Sequence, residues 1–326
     1  MSGFRFAIMD AKDEDDLPAG PVTLIDAHHH FWDLRRNHYP WLSDHPEPNF
    51  FLGNYDALKR DYLVDDYRRD SAAHRVLATV HCEAEWNRDD QIGETAWLEA
   101  LHRAEGLPTA VVAHAWFHTP QSAEVLARQA AWPLVRGIRS KPVTALRPDL
   151  MQRGLPGGMQ DPRWIEGYAR LQAHGLSWDL RVPFWHLPEA ADVVAMFPGI
   201  PVVLNHTGFP WDRSEAGLAA WRRAMEVIAR QDHVWLKVSE FGLKDEPWTY
   251  ASNRRIVLDA ISIFGIERCM FASNFPVAGL RVSFDTLVRS VAGMLSGFSM
   301  QQRHAFFVCN AARFYRLDVE GVASSA

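Results

Sequence analysis

The sequence predicts an α/β protein built as a single (β/α)8 TIM barrel, with long βα-loops covering the C-terminal face. Three observations predict it. Eight short apolar runs rich in β-branched residues alternate with amphipathic stretches, as repeated β-α units and a parallel sheet require. The chain has 326 residues with no dividing linker, the size of one large barrel. No glycine-rich phosphate loop follows the first strand, which disfavours an open doubly wound sheet.

In chain order the strands are expected at residues 22–28, 75–83, 109–115, 135–140, 176–182, 202–206, 234–239 and 269–273. Amphipathic stretches at 121–131, 161–174, 189–197, 215–230 and 254–264 read as helices. Gly175, Gly199 and Gly265 follow three of them, where a helix C-cap glycine belongs. Residues 1–20, mostly acidic from Asp10 to Asp16, are expected to form a flexible leader, and 21–326 the barrel domain. Two long loops, 31–55 and 142–161, would sit on the catalytic face. Loops there cover the mouth and select substrates.

Composition narrows the function classes. Hydrophobic residues make up 48% of the chain, enough for a full core. The net charge of −6 and the absence of a Lys/Arg run argue against a nucleic-acid partner. No apolar run is long enough to cross a bilayer, and no secretory signal opens the chain. Cys82, Cys269 and Cys309 lack CxxC spacing, so they are expected to be reduced thiols of a cytoplasmic protein.

The segment Ile25-Asp26-Ala27-His28-His29-His30-Phe31-Trp32 carries the strongest chemical signal. Strand alternation places His28 and His30 on one face and His29 on the other. Two imidazoles on one face are candidate metal ligands or polarising groups. The other strands also end in polar groups: His81 and Glu83, His114, Arg139 and Lys141, Asn205 and His206, Lys237 and Ser239, then Ser273 and Asn274. Such groups are costly to bury unpaired. So many at one end of a barrel point to a polar pocket. Trp32 and its neighbouring tryptophans read either as an apolar wall or as core.

Together DAHHHFWD, VRGIRS, LNHTG, KVSEFG, CMFASNFPV and NAARFY resemble the amidohydrolase-2 family of metal-dependent TIM-barrel hydrolases. The likeness is to its lactonase branch, which includes L-fuconolactone, L-rhamnonolactone and 2-pyrone-4,6-dicarboxylate lactonases. The motifs span residues 25 to about 315. The resemblance implies that His28, His30 and His206 polarise a lactone carbonyl, directly or through one divalent ion such as Zn²⁺ or Mn²⁺. It implies that Arg139 faces the substrate. Relatives commonly carry aspartate in the eighth strand where this chain has Asn274, which cannot accept a proton at neutral pH. Binuclear members need a fifth-strand histidine and a bridging lysine on the fourth strand. LSWDLRV has no histidine and Lys141 lies at or past its strand's end, so two metals are not expected.

The leading expectation is therefore a hydrolase that opens a small acidic or polyhydroxy lactone, as in carbohydrate catabolism. Glu83 replaces the missing aspartate as base, unless it is held in a salt bridge to Arg139 or Lys237. Asn274 orients the water, and Arg139, Lys237, His81, His114 and Trp32 surround the substrate. Decarboxylation, lactone isomerisation and non-catalytic binding of a small acid are the alternatives.

Overall fold

The structure is a computed structural model that describes residues 17–45 and 47–319. Its centre is an eight-stranded sheet in the order β1 to β8: Thr23–His29, Arg75–Cys82, Ala110–Ala113, Val135–Ile138, Ser177–Leu180, Val202–Leu204, Val234–Val238 and Cys269–Phe271. Every neighbouring pair is parallel. Each expected strand is present; the first is shifted by one residue, to Thr23–His29, and the other seven are trimmed where the chain bends into loops.

The barrel closes between β8 and β1. The Asn274 amide donates to the His28 carbonyl at 2.7 Å, and the His30 amide to the Phe275 carbonyl at 2.8 Å. Asp26 fixes this seam from the helix side, where Tyr67 of helix Val64–Asp70 reaches it. Its carboxylate accepts from the Ser273 amide at 2.8 Å, the Ser273 hydroxyl at 2.6 Å, the Tyr67 hydroxyl at 2.9 Å and the His28 amide at 3.2 Å. An ionised carboxylate has only acceptors, so four donors suit it fully.

Helices cover the barrel, and their limits follow local chemistry. Asp161, Ser214, Thr249 and Ser283 each accept a backbone N–H at a helix start, satisfying donors the helix cannot. Gly175 ends helix Pro162–His174 in the left-handed region. Gly199 caps nothing, because helix Leu187–Val194 stops earlier, at Ala195. Inside Pro162–His174, Gly167 lets the helix lie on the backbone of Phe117; a Cβ there would sit 2.1 Å from the Phe117 carbonyl oxygen. That contact seats Trp164 and Tyr168 against Trp178 of β5, with ring centroids 5.1 and 5.0 Å apart.

Residues 1–16 of the expected leader lie outside the described residues. Leu17 packs against the core, and Arg289 donates to the Pro18 carbonyl. No helix among the described residues is long and apolar enough to cross a membrane.

Asp26→Ala is expected to lower stability by about 3–5 kcal/mol, since several buried donors lose their acceptor together. Urea unfolding measures it, and a loss below about 1 kcal/mol would remove Asp26 as the closing interaction.

Candidate active site

At the C-terminal rim the backbone turns sharply inward. His206, Thr207, Phe209, Glu240 and Asn274 all have φ between 50° and 58°, a region that side-chain-bearing residues avoid. Clustered strain of this kind marks functional sites. Below the rim lies a cavity of about 350 Å³. Trp32, Trp41, Phe51 and Trp211 line one part of it, and His30, His206, Asn274, Arg139, Lys141 and Arg181 another. Both long loops reach it, through Phe50 and through Leu146.

His28, His30 and His206 form one cluster. The His28 ring centroid lies 5.0 Å from that of His30 and 4.7 Å from that of His206. His29 turns to the opposite side against Phe31 and Tyr67, as strand alternation requires. Burial pushes all three cluster imidazoles well below the usual histidine value. The nearest cations push further: Lys237 for His28, Arg139 for His30 and Arg181 for His206. The three are therefore neutral and present lone pairs at neutral pH.

Their partners define how those lone pairs point. His30 Nδ1 lies 2.7 Å from the Cys82 carbonyl oxygen and must carry the hydrogen. That leaves a lone pair on Nε2, which faces Asn274 Oδ1 at 3.2 Å. Asn274 Nδ2 is turned the other way and donates to Glu240. Two lone pairs thus confront each other, an arrangement a cation between them would relieve. His28 Nε2 is buried with no hydrogen-bond partner, and His206 Nδ1 meets Ser239 Oγ at 3.1 Å. The orphaned His28 nitrogen is the group a divalent ion would satisfy, but the three imidazoles do not bring their ligand atoms as close together as a second set does.

A deeper group, His28, Cys82 and Asp179, has ligand-type atoms within 4.8 Å of one another. It already holds a positive charge. The Lys237 ammonium pairs with Asp179 and lies 3.4 Å from His28 Nδ1. Asn205 at 3.0 Å and the Tyr315 hydroxyl complete the Asp179 shell. Burial raises the Cys82 thiol to about 12, so no thiolate is on offer there.

Four expected site residues are placed differently. Glu83 is not a free base. Arg139 Nε donates to it at 2.7 Å, Arg88 lies 2.8 Å away and Lys141 3.9 Å. Burial alone would raise this carboxyl, but the three cations hold it well below the ordinary range. The salt-bridge alternative describes it, with Arg139 as partner. Lys237 is fully buried under the histidines. His81 accepts from the Phe31 amide at 3.1 Å and meets Glu94 at 3.3 Å. His114 packs edge-on against Trp116. None of these last three lines the cavity, whereas Trp32, Arg139, His206, His30 and Asn274 do.

Two residues escaped sequence reasoning. Glu240 is 4% exposed. Burial raises its carboxyl to about 7, against the pull of the Asn274 hydrogen bond and of Arg181 and Arg281. Its left-handed backbone breaks the alternation of β7, so periodicity could not point it inward. Arg181 follows β5 and shares the face of Asp179, two residues before. That alternation was a usable signal.

Comparison with known proteins agrees with the geometry. The amidohydrolase family profile matches residues 25–317. The chain is 35% identical over 296 residues to protein y4mH of Sinorhizobium fredii, covering 91% of this chain and 99% of that one. It is 33% identical over 308 residues to an L-fucono-1,5-lactonase of Burkholderia multivorans, covering 90% and 96%. A crystal structure of a Burkholderia multivorans amidohydrolase with bound zinc superposes with a TM-score of 0.74 at 29% identity, covering 91% of this chain and all of that one. The chain is a member of the amidohydrolase family, a (β/α)8 hydrolase whose relatives include lactonases.

Proposed function

We propose that this protein hydrolyses the ring ester of a small lactone, with Glu240 rather than Glu83 as the proton acceptor. The observation that carries the reading is the convergence of His30, His206 and Asn274 on one cavity, with His28 packed against both imidazoles and the buried Glu240 carboxyl, which ionises near neutrality, behind Asn274. Ester opening needs a polarised carbonyl, an oriented water and a base. The named relative acts on a lactone, and the cavity has the size of a small ring compound.

The aromatic wall of Trp32, Phe51 and Trp211 receives the apolar face of the ring and excludes water. The lactone carbonyl points to the floor, toward His206 and His30. Asn274, held from behind by Glu240, faces the cavity and seats the attacking water. An amide relays no proton, so the proton passes to Glu240 through a second water beside the Asn274 side chain. At about 7 the Glu240 carboxyl is the best-matched base of the cluster. Glu83, locked to Arg139, instead holds that guanidinium in place. A divalent ion would be held by His28, His30 and His206, and when bound would polarise the carbonyl and acidify a water. The alternatives of decarboxylation and isomerisation would produce carbon dioxide or leave no new acid, so a pH-indicator assay over a lactone panel separates all three.

Glu240→Gln is expected to lower kcat by about 10²–10⁴ while the fold survives. The sign of the pH effect follows from ionisation: the base works deprotonated, so kcat rises with pH through about 7 in the wild type. That limb disappears in the variant, and a retained limb would clear Glu240 of the role.

Glu83→Gln is expected to cost about 3–5 kcal/mol of stability, since Arg139 is left buried without a counter-charge. A carboxyl held low contributes its stabilisation fully above the unfolded value near 4.5 and loses it as pH falls further. Urea unfolding at several pH values tests this, and normal stability with abolished turnover would return the base to Glu83.

Zinc titrated into chelator-treated protein is expected to raise Tm, and the rise to vanish in His30→Ala. An equal rise in both would place the ion elsewhere.

A further inference from the structure

Of the three cations that line the cavity, one has no ion-pair partner. Arg139 is bound to Glu83, and Lys141 to Glu85. Arg181 has no such partner: among the described residues, no carboxylate lies within ion-pairing distance of its guanidinium. The group sits instead 5.0 Å over the ring of Phe209, and it lines the cavity beside His206 and Trp211. Phe209 in turn lies 5.1 Å from the His206 ring, centroid to centroid. The unpaired cation is thus adjacent to the imidazole cluster, on the cavity's inner wall.

A guanidinium partly withdrawn from water without a paired anion is unfavourable, and the face of Phe209 with the more distant charges of Glu83 and Glu240 offsets this only in part. Burial, and then the like charge of Arg139, lower even its own pKa, to about 10. A planar fork of N–H donors left open toward a small cavity is matched by a carboxylate, which can take two of those donors at once. A neutral polyhydroxy ring would provide weaker acceptors and would leave the charge uncompensated.

We propose that Arg181 is the counter-ion for the substrate, and that the ring opened here carries a carboxylate. The proposal rests on the lactone-opening reading only for the word ring; the anion site itself can be tested without turnover. The carboxylate sits against Arg181, which brings the neighbouring ester carbonyl over His206 and leaves the hydrocarbon edge of the ring on Trp211. Arg181 thereby selects anionic lactones over neutral ones of the same shape.

The experiment pairs two substrates of identical ring, 5-oxotetrahydrofuran-2-carboxylate and its carboxamide, with one unreactive ligand, tetrahydrofuran-2-carboxylate. In the wild type kcat/KM for the acid is expected to exceed that for the amide by about 10–100-fold, the worth of hydrogen bonds to a charged group. Arg181→Gln should erase that preference, chiefly through KM, with Arg181→Lys restoring part of it. Calorimetry should show tetrahydrofuran-2-carboxylate binding to the wild type and not to Arg181→Gln. Without any ligand, Arg181→Gln should melt at a higher temperature than the wild type, because it removes an uncompensated charge. A merely structural arginine would give the opposite shift.

Acid binding that depends on Arg181 with neither ring hydrolysed would support the anion site and end the lactone reading. Hydrolysis of both rings with equal kcat/KM would overturn the anion site and leave the lactone reading standing. Binding of the acid undiminished in both Arg181 variants would also overturn it.

Discussion

The Asp26 carboxylate is the contact on which the arrangement of the site depends. It lies at the seam where the last strand meets the first, accepting from Ser273 on one side and from His28 on the other. One of the backbone hydrogen bonds across that seam joins His28 and Asn274. The same bond that closes the barrel therefore sets the imidazole pair of β1 opposite the amide of β8. Catalytic geometry here is a by-product of closure, so the floor of the cavity is as rigid as the sheet itself.

Above that floor the charges are arranged in layers. Lys237 and Asp179 neutralise each other at the bottom, the uncharged histidines lie over them, and the Glu83–Arg139 pair braces the side. Burial would make any one of these charges costly alone, and nearly all are paired within the protein. Arg181 is the exception. Among the cations of the cavity only this guanidinium is left open to a ligand, so selectivity for an anion is concentrated at that point.

Much of this was legible in the sequence. Short apolar runs located all eight strands, because a parallel strand covered on both faces is apolar throughout, and the two-residue period of a strand then assigned faces at their ends. It also paired His28 with His30 and sent His29 outward. The same rule misled at His81, which turns to the helix side beside His29 and Glu94, and at His114, which packs on Trp116 outside the cavity lining. Whether a strand-end side chain reaches the cavity or stops in the wall depends on how far along the barrel it sits, and that follows from register between strands. Glu83 shows the other limit: a carboxylate is a base or a brace according to how many cations surround it, and Arg88 and Lys141 come from other loops. Glu240 was hidden by its backbone, since a left-handed residue no longer obeys alternation.

The ammonium of Lys237 gives the cavity floor a property not tied to its supply of ions. It stands beneath the imidazoles as a permanent positive centre, covalently tethered and unable to dissociate. Burial first, and this charge next, hold His28 well below the ordinary histidine value, so it resists taking up a proton even when the medium turns mildly acidic. Loss of its lone pair to solvent protons, the ordinary way a histidine is silenced, is opposed from below by a charge that belongs to the chain itself.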